Sequence, residues 1–136
     1  MNTATEKDCI LAAREHIRKL GRARQIMLML TRQIYDLQKA LVCFGGSERQ
    51  RIALQIEEKE QEREQWRQAL MMYEQARAAM YKRYGDAVHV IDFQGKTLVQ
   101  ASIFISATTN TIRNWEKRGL LEYAYSLLDM ADSARK

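Results

Sequence analysis

No proline interrupts this chain, and apolar or small residues recur every three or four positions along two stretches that meet at Gly45-Gly46. Proline removes a helical N–H and clashes with the preceding turn, so a proline-free chain with this period is directed towards long helices. The first seam is Ile10, Ala13, Ile17, Leu20, Ala23, Met27, Leu30, Ile34, Leu37, Leu41 and Phe44. Its steps alternate between three and four except for a doubled three beside Gly21. A glycine there costs on the order of 1 kcal/mol relative to alanine and marks a bend or weak point in one long helix. The second seam, Ile52, Ile56, Lys59, Arg63, Trp66, Leu70, Tyr73, Arg77, Met80 and Tyr84, alternates without a break.

Three pairs have the spacing of a capping box: Thr3 with Glu6, Ser47 with Gln50, and Thr97 with Gln100. The first two open the long helices and Gly45-Gly46 closes the first of them, so residues 3–84 read as an antiparallel, coiled-coil-like helical hairpin. Lys59 and Arg63 occupy seam positions, where their aliphatic stems can cover apolar surface while their charges reach water. Met27, Leu28, Met29, Leu30 and Ile34 make the first helix apolar over a wider arc than one partner covers. Hairpins are therefore expected to pair between chains, giving a homo-oligomer.

Tyr84-Gly85-Asp86 is expected to end the second helix, with Gly85 as its left-handed cap. Residues 85–96 read as a linker, and the β-branched run at 87–93 as ordered chain, a short strand or one helical turn. Residues 97–132 then read as a helix-turn-helix unit with a third helix. Leu98, Ala101 and Ile105 face inward on the first helix, Ser106-Ala107 forms the turn, and Thr108 caps the next helix. There Ile112 and Trp115 point to the core, Gly119 ends the helix and Leu120 folds back. Leu121, Ala124, Leu127, Leu128 and Ala131 form the apolar face of the third helix, and residues 133–136 fray. The fold class is thus all-α.

On the second helix Thr108, Thr109, Asn110, Arg113, Asn114 and Lys117 remain outside the apolar face. Asparagine can bond adenine bidentately, arginine can do so with guanine, and threonine or lysine can reach phosphates or base edges. The net charge of +5 suits a polyanionic partner. It is carried mainly by residues 1–44, with eight cations against four acids, whereas residues 85–136 balance six against six.

The run Thr111-Ile112-Arg113-Asn114-Trp115-Glu116-Lys117-Arg118-Gly119-Leu120-Leu121 resembles the close of the helix-turn-helix signature in MerR-type regulators. The resemblance covers residues 97–121. It implies DNA contact at Arg113 first, then at Thr108, Asn110 and Lys117. Ser106 stands where that family's turn prefers glycine. MerR proteins carry the unit at the N-terminus, whereas here the helical arm comes first. In layout and size the chain is similar to small phage late transcription activators of the ArpU/RinA kind, which implies DNA binding together with contact to host RNA polymerase.

The expected function is a sequence-specific, phage- or mobile-element-encoded DNA-binding transcriptional regulator that oligomerises through its arm. Its expected partners are double-stranded DNA, itself and host RNA polymerase. A small terminase-like DNA-packaging subunit and a helical adaptor without a DNA role are the alternatives. His16 and His89 adjoin no nucleophile or carboxylate pair, and no zinc spacing or phosphate-cradling loop occurs, so no catalysis, metal or cofactor is expected. Cys9 and Cys43, read as lying in one helix, would be about 50 Å apart, too far to bridge. With no signal peptide and no membrane-length apolar run, the chain is expected to be cytoplasmic with reduced thiols.

Overall fold

The structure is a computed structural model that describes the backbone of residues 3–135 and the side chains of residues 5–130. The Thr3–Glu6 cap, the side chain of Ala131 and residue 136 lie outside the described residues, and the fraying expected from residue 133 is not found up to Arg135, where the backbone is still helical. Every regular element described is helical: α1 (Thr3–Leu20), α2 (Ala23–Cys43), α3 (Gly46–Ala79), α4 (Lys82–Val88), a π-helical turn (His89–Phe93), α5 (Leu98–Ile105) and α6 (Thr109–Arg135). None of them is long and apolar enough to cross a membrane.

The chain divides into two units. One is Arg22–Met71; the other joins α1 to everything from Met72 onward. This differs from the expected arm of residues 3–84, linker of 85–96 and terminal unit of 97–132. The reason lies at Gly21. The expected single helix stops at Leu20 and restarts at Ala23, where the seam has its doubled step of three. A Cβ on Gly21 would lie 2.2 Å from the carbonyl oxygen of Phe93. Glycine is what lets the end of α1 abut the π turn, so α1 belongs with the C-terminal segments.

In the unit Arg22–Met71, α2 and the first part of α3 run antiparallel. Lys59 Nζ donates to Gln33 Oε1 at 3.0 Å, and Arg63 Nη1 donates to Thr31 Oγ1 at 3.1 Å. The two cations in the seam thus reach polar partners across the hairpin as well as covering apolar surface. Leu30, Ile34 and Ile52 are buried in this unit. Phe44 is extended and Gly46 takes a φ of +63°, which makes the reversal. Helix α3 begins at Gly46, and the Arg49 N–H points to Gly45 O at 3.5 Å. Ser47 therefore sits inside the first turn and does not cap it.

In the other unit the expected ends of two helices are displaced. Helix α3 stops at Ala79, Tyr81 is non-helical (φ −55°, ψ 130°), and Gly85 lies buried inside α4. The expected linker is helical: α4 runs into the π turn, where Gln94 N–H donates to His89 O at 2.9 Å. Ala87, Val88 and Val90 are buried there, with Val90 joining Ala101 and Ile112 in one core cluster. Burial on several sides has overridden the strand preference of β-branched residues. The expected third helix is not separate, because α6 continues through Gly119. A Cβ on Gly119 would lie 2.6 Å from Val88 Cγ2 and 2.8 Å from Tyr84 O, so this glycine admits α4 and does not cap a helix. Continuity also sets the register of the second half. Leu120 and Tyr123 are buried and Leu128 is exposed, which shifts the face expected from Leu121.

Polar and aromatic contacts complete this core. Tyr73 stacks on Phe93 with centroids 4.9 Å apart, and its hydroxyl meets His89 Nδ1 at 2.9 Å. Arg14 of α1 donates to Glu116 of α6 at 2.9 Å and lies 3.8 Å from Asp92 of the π turn, while Arg18 lies 3.9 Å from Asp92. Asp92 is buried, and neither of its oxygens has a hydrogen-bond donor at normal range among the described residues. Burial, then the neighbouring Glu116 carboxyl, pushes Asp92 up to about 8 against the pull of Arg14 and Arg18.

Two outcomes are expected. Gly119→Ala should lower unfolding stability by about 1–3 kcal/mol through forced separation of α4 and α6, as read by urea denaturation; an unchanged midpoint would mean the two backbones do not meet there. A carboxyl whose value is raised by folding lends stability that is present in acid and lost as pH climbs through about 8. The melting temperature of the native chain should therefore fall over that rise, and Asp92→Asn should flatten the dependence. An equal slope in the two proteins would refute the assignment.

Candidate nucleic-acid interface

Helix α5 starts where the Thr97 hydroxyl accepts the Gln100 N–H at 3.1 Å while the Gln100 side chain accepts the Thr97 N–H at 2.9 Å. This is the expected reciprocal cap. The helix ends at Ser106, which adopts a left-handed conformation with φ 61°. A non-glycine residue there costs on the order of 1 kcal/mol, offset locally by hydrogen bonds. The Ser106 and Ala107 N–H groups both reach Ser102 O, and the Ser102 hydroxyl donates to Ala107 O. The turn thus holds its shape without the glycine that a MerR-like turn prefers.

Thr108 opens α6. Its hydroxyl accepts the Thr111 N–H at 3.3 Å and contacts the Thr111 hydroxyl at 2.8 Å. From there the helix has two faces. Ile112, Glu116, Leu120 and Tyr123 are buried, with Trp115 half-buried beside them. All six residues expected at the interface, Thr108, Thr109, Asn110, Arg113, Asn114 and Lys117, are exposed. Asn110, Arg113, Asn114 and Lys117 follow the i, i+3, i+4, i+7 spacing and so make one stripe. No ion pair among the described residues holds Arg113 or Lys117. Thr108 is committed to capping, which makes it a framing residue more than a contact.

Sequence reasoning missed the side chains that border this stripe. On one side α1 brings Lys7 and Arg14 to a shallow hollow that Lys117 also lines. On the other, the start of α4 brings Arg83 over the Trp115 ring at 5.4 Å, and Arg118 Nη1 donates to the Tyr84 hydroxyl at 3.0 Å. The available signal was the run Tyr81-Lys82-Arg83-Tyr84, basic residues between aromatics, which fell at the expected end of the arm. Its spatial neighbours 30 residues further on are not written in local sequence.

The stripe therefore offers two amides and two cations on a helix whose opposite face is fixed by packing. Amides and guanidinium groups presented this way suit base edges in a major groove, and the bordering cations suit phosphates. The unit has the order of elements in a helix-turn-helix: a short helix, a three-residue turn and a longer helix that carries the polar face. No family model, no curated protein and no solved structure matches this chain.

Proposed function

We propose that this chain is a sequence-specific DNA-binding regulator of transcription, of phage or mobile-element type, acting in the cytoplasm as a homo-oligomer without catalysis or cofactor. The observation that carries the reading is the exposed stripe of Asn110, Arg113, Asn114 and Lys117 on a helix anchored by Ile112, Glu116 and Leu120. The amino-acid likeness to MerR-type units over residues 97–121 supports it. Self-association is supported by α2, where Leu28, Tyr35 and Val42 are exposed at seven-residue intervals, the repeat of a helix-pairing face.

A second reading also has an observation behind it. Val99, Ile103 and Phe104 on α5 are 63%, 76% and 79% exposed, an apolar face suited to another protein. With DNA binding, that face is available to host RNA polymerase; without it, the chain is a helical adaptor. A closed ring of many copies in native mass spectrometry would instead favour a terminase-like packaging subunit.

Selection of bound duplexes from a random pool separates these readings, since a regulator enriches a defined motif and an adaptor enriches none. Arg113→Ala combined with Asn114→Ala should cost about 1–3 kcal/mol per lost base contact and erase the motif while helicity is kept. The same motif bound with equal affinity by that variant would remove the recognition stripe from consideration. Sedimentation should show an oligomer at micromolar concentration, converted towards monomer by Leu28→Asp with Tyr35→Glu; a native chain that sediments as a monomer would sink the self-association claim.

A further inference from the structure

We propose that Lys82 and Arg83 form a phosphate-gripping flank beside the stripe on α6, so that the unit holds a duplex by its sugar–phosphate backbone as well as by its bases. The inference rests on the DNA-binding reading and adds a second contact surface to it.

The stripe alone is poorly equipped to hold a polyanion. Arg113 and Lys117 are its only cations, and residues 85–136 as a whole are balanced in charge. Non-specific affinity for DNA comes from cations that displace counterions from phosphates, so a reading head of this kind needs cations from elsewhere. The fold supplies them. The break at Met80 and Tyr81 separates α3 from α4 and leaves Lys82 and Arg83 exposed.

Their placement is specific. The Arg83 guanidinium lies 5.4 Å from the Trp115 ring centroid, and Trp115 immediately follows Asn114 of the stripe. Stacking on an aromatic face restrains the guanidinium while its edge N–H groups stay available for oxygen acceptors. Lys82 and Arg83 line a hollow of about 470 Å³ with Asp86, Ile105, Ser106 and Trp115, placing α4, the turn and α6 around one concavity. Asp86 is the acid among these lining residues, and it already accepts from Arg77 at 3.4 Å. Arg118, held by the Tyr84 hydroxyl, extends the same basic border along α6.

The opposite border carries Lys7 and Arg14 beside Lys117, with Glu6 as the one acid lining that hollow. A helix seated in a major groove has a phosphate strand along each side, and backbone contacts on those strands set its register without reading sequence. Cations on both borders of an amide-bearing stripe match that requirement. An acidic protein partner would use the same cations, but it gives no reason for paired asparagines between them.

The test compares affinities for two duplexes of equal length, one recovered by selection and one of random sequence, across a salt series. Lys82→Gln with Arg83→Gln should weaken binding to both in similar proportion. It should also reduce the slope of log affinity against log salt by about 1 to 2. Arg113→Ala with Asn114→Ala should instead collapse the ratio between the two duplexes. Lys82→Gln alone, at an exposed side chain, keeps the test usable where loss of the Arg83–Trp115 contact lowers the melting temperature; it should reduce the slope by about 1. An unchanged slope in both variants of a chain that binds duplex overturns the flank and leaves the stripe standing. Loss of the selected-to-random ratio in the Lys82 variant overturns the phosphate assignment. No duplex binding by the native chain overturns the flank and the function together.

Discussion

Arg14 is where the larger unit is tied together. Its guanidinium bonds Glu116 at 2.9 Å and lies 3.8 Å from Asp92, so one side chain from α1 meets both α6 and the π turn. Two carboxyl groups withdrawn from water so close together repel one another, and desolvation penalises each further. They are tolerable because Arg14 and Arg18 sit against them and because Asp92, raised to about 8, can keep its proton. The orientation of α6 follows. With Ile112 and Glu116 directed inwards, a period of 3.6 residues turns Arg113, Asn114 and Lys117 outwards. The polar stripe is thus the geometric complement of a buried ion pair.

Two glycines make that arrangement possible, and both look like something else in local sequence. Gly21 reads as a weak point in a long helix and Gly119 as a helix stop. In the fold, each is a place where backbone passes too close for a side chain, at Phe93 in one case and at Tyr84 and Val88 in the other. Helix-stop chemistry depends on residues nearby in sequence, and close approach on residues that are not. The reading of Gly46 as a reversal succeeded because a left-handed turn is a local event.

The same division explains what else was legible. Every residue of the two apolar seams except Phe44, which is exposed, is buried or half-buried, and the Thr97–Gln100 cap is present atom for atom. Periodicity and capping are short-range signals, and they also placed the six exposed residues at the start of α6. Residues 85–96 were opaque because their β-branched composition favours extended chain while their surroundings favour a helix. A π turn adds one residue to a helical turn, and helical periodicity does not anticipate it. The grouping of α1 with the C-terminal half was hidden in another way: the doubled step beside Gly21 signals a break in the helix but does not say which segments α1 packs against.

Counted along the chain, the segment that contains the stripe is neutral. Counted in space, the stripe is bordered by Lys7 from α1, by Lys82 and Arg83 from α4, and by Arg118 from α6 itself. Of the nearby acids, Glu116 is engaged by Arg14 and Asp86 by Arg77, while Glu6 lines the hollow beside Lys7 and Lys117. Pairing acids with the inner cations leaves the outer cations uncompensated on the solvent side of the same helix. A balanced sequence can in this way present a locally basic border, because two of its acids, Asp92 and Glu116, are buried. On the proposed DNA-binding reading, the competence of the unit depends on whether α1 and α4 are docked, through the Arg14–Glu116 and Arg77–Asp86 pairs and the two close approaches at glycine.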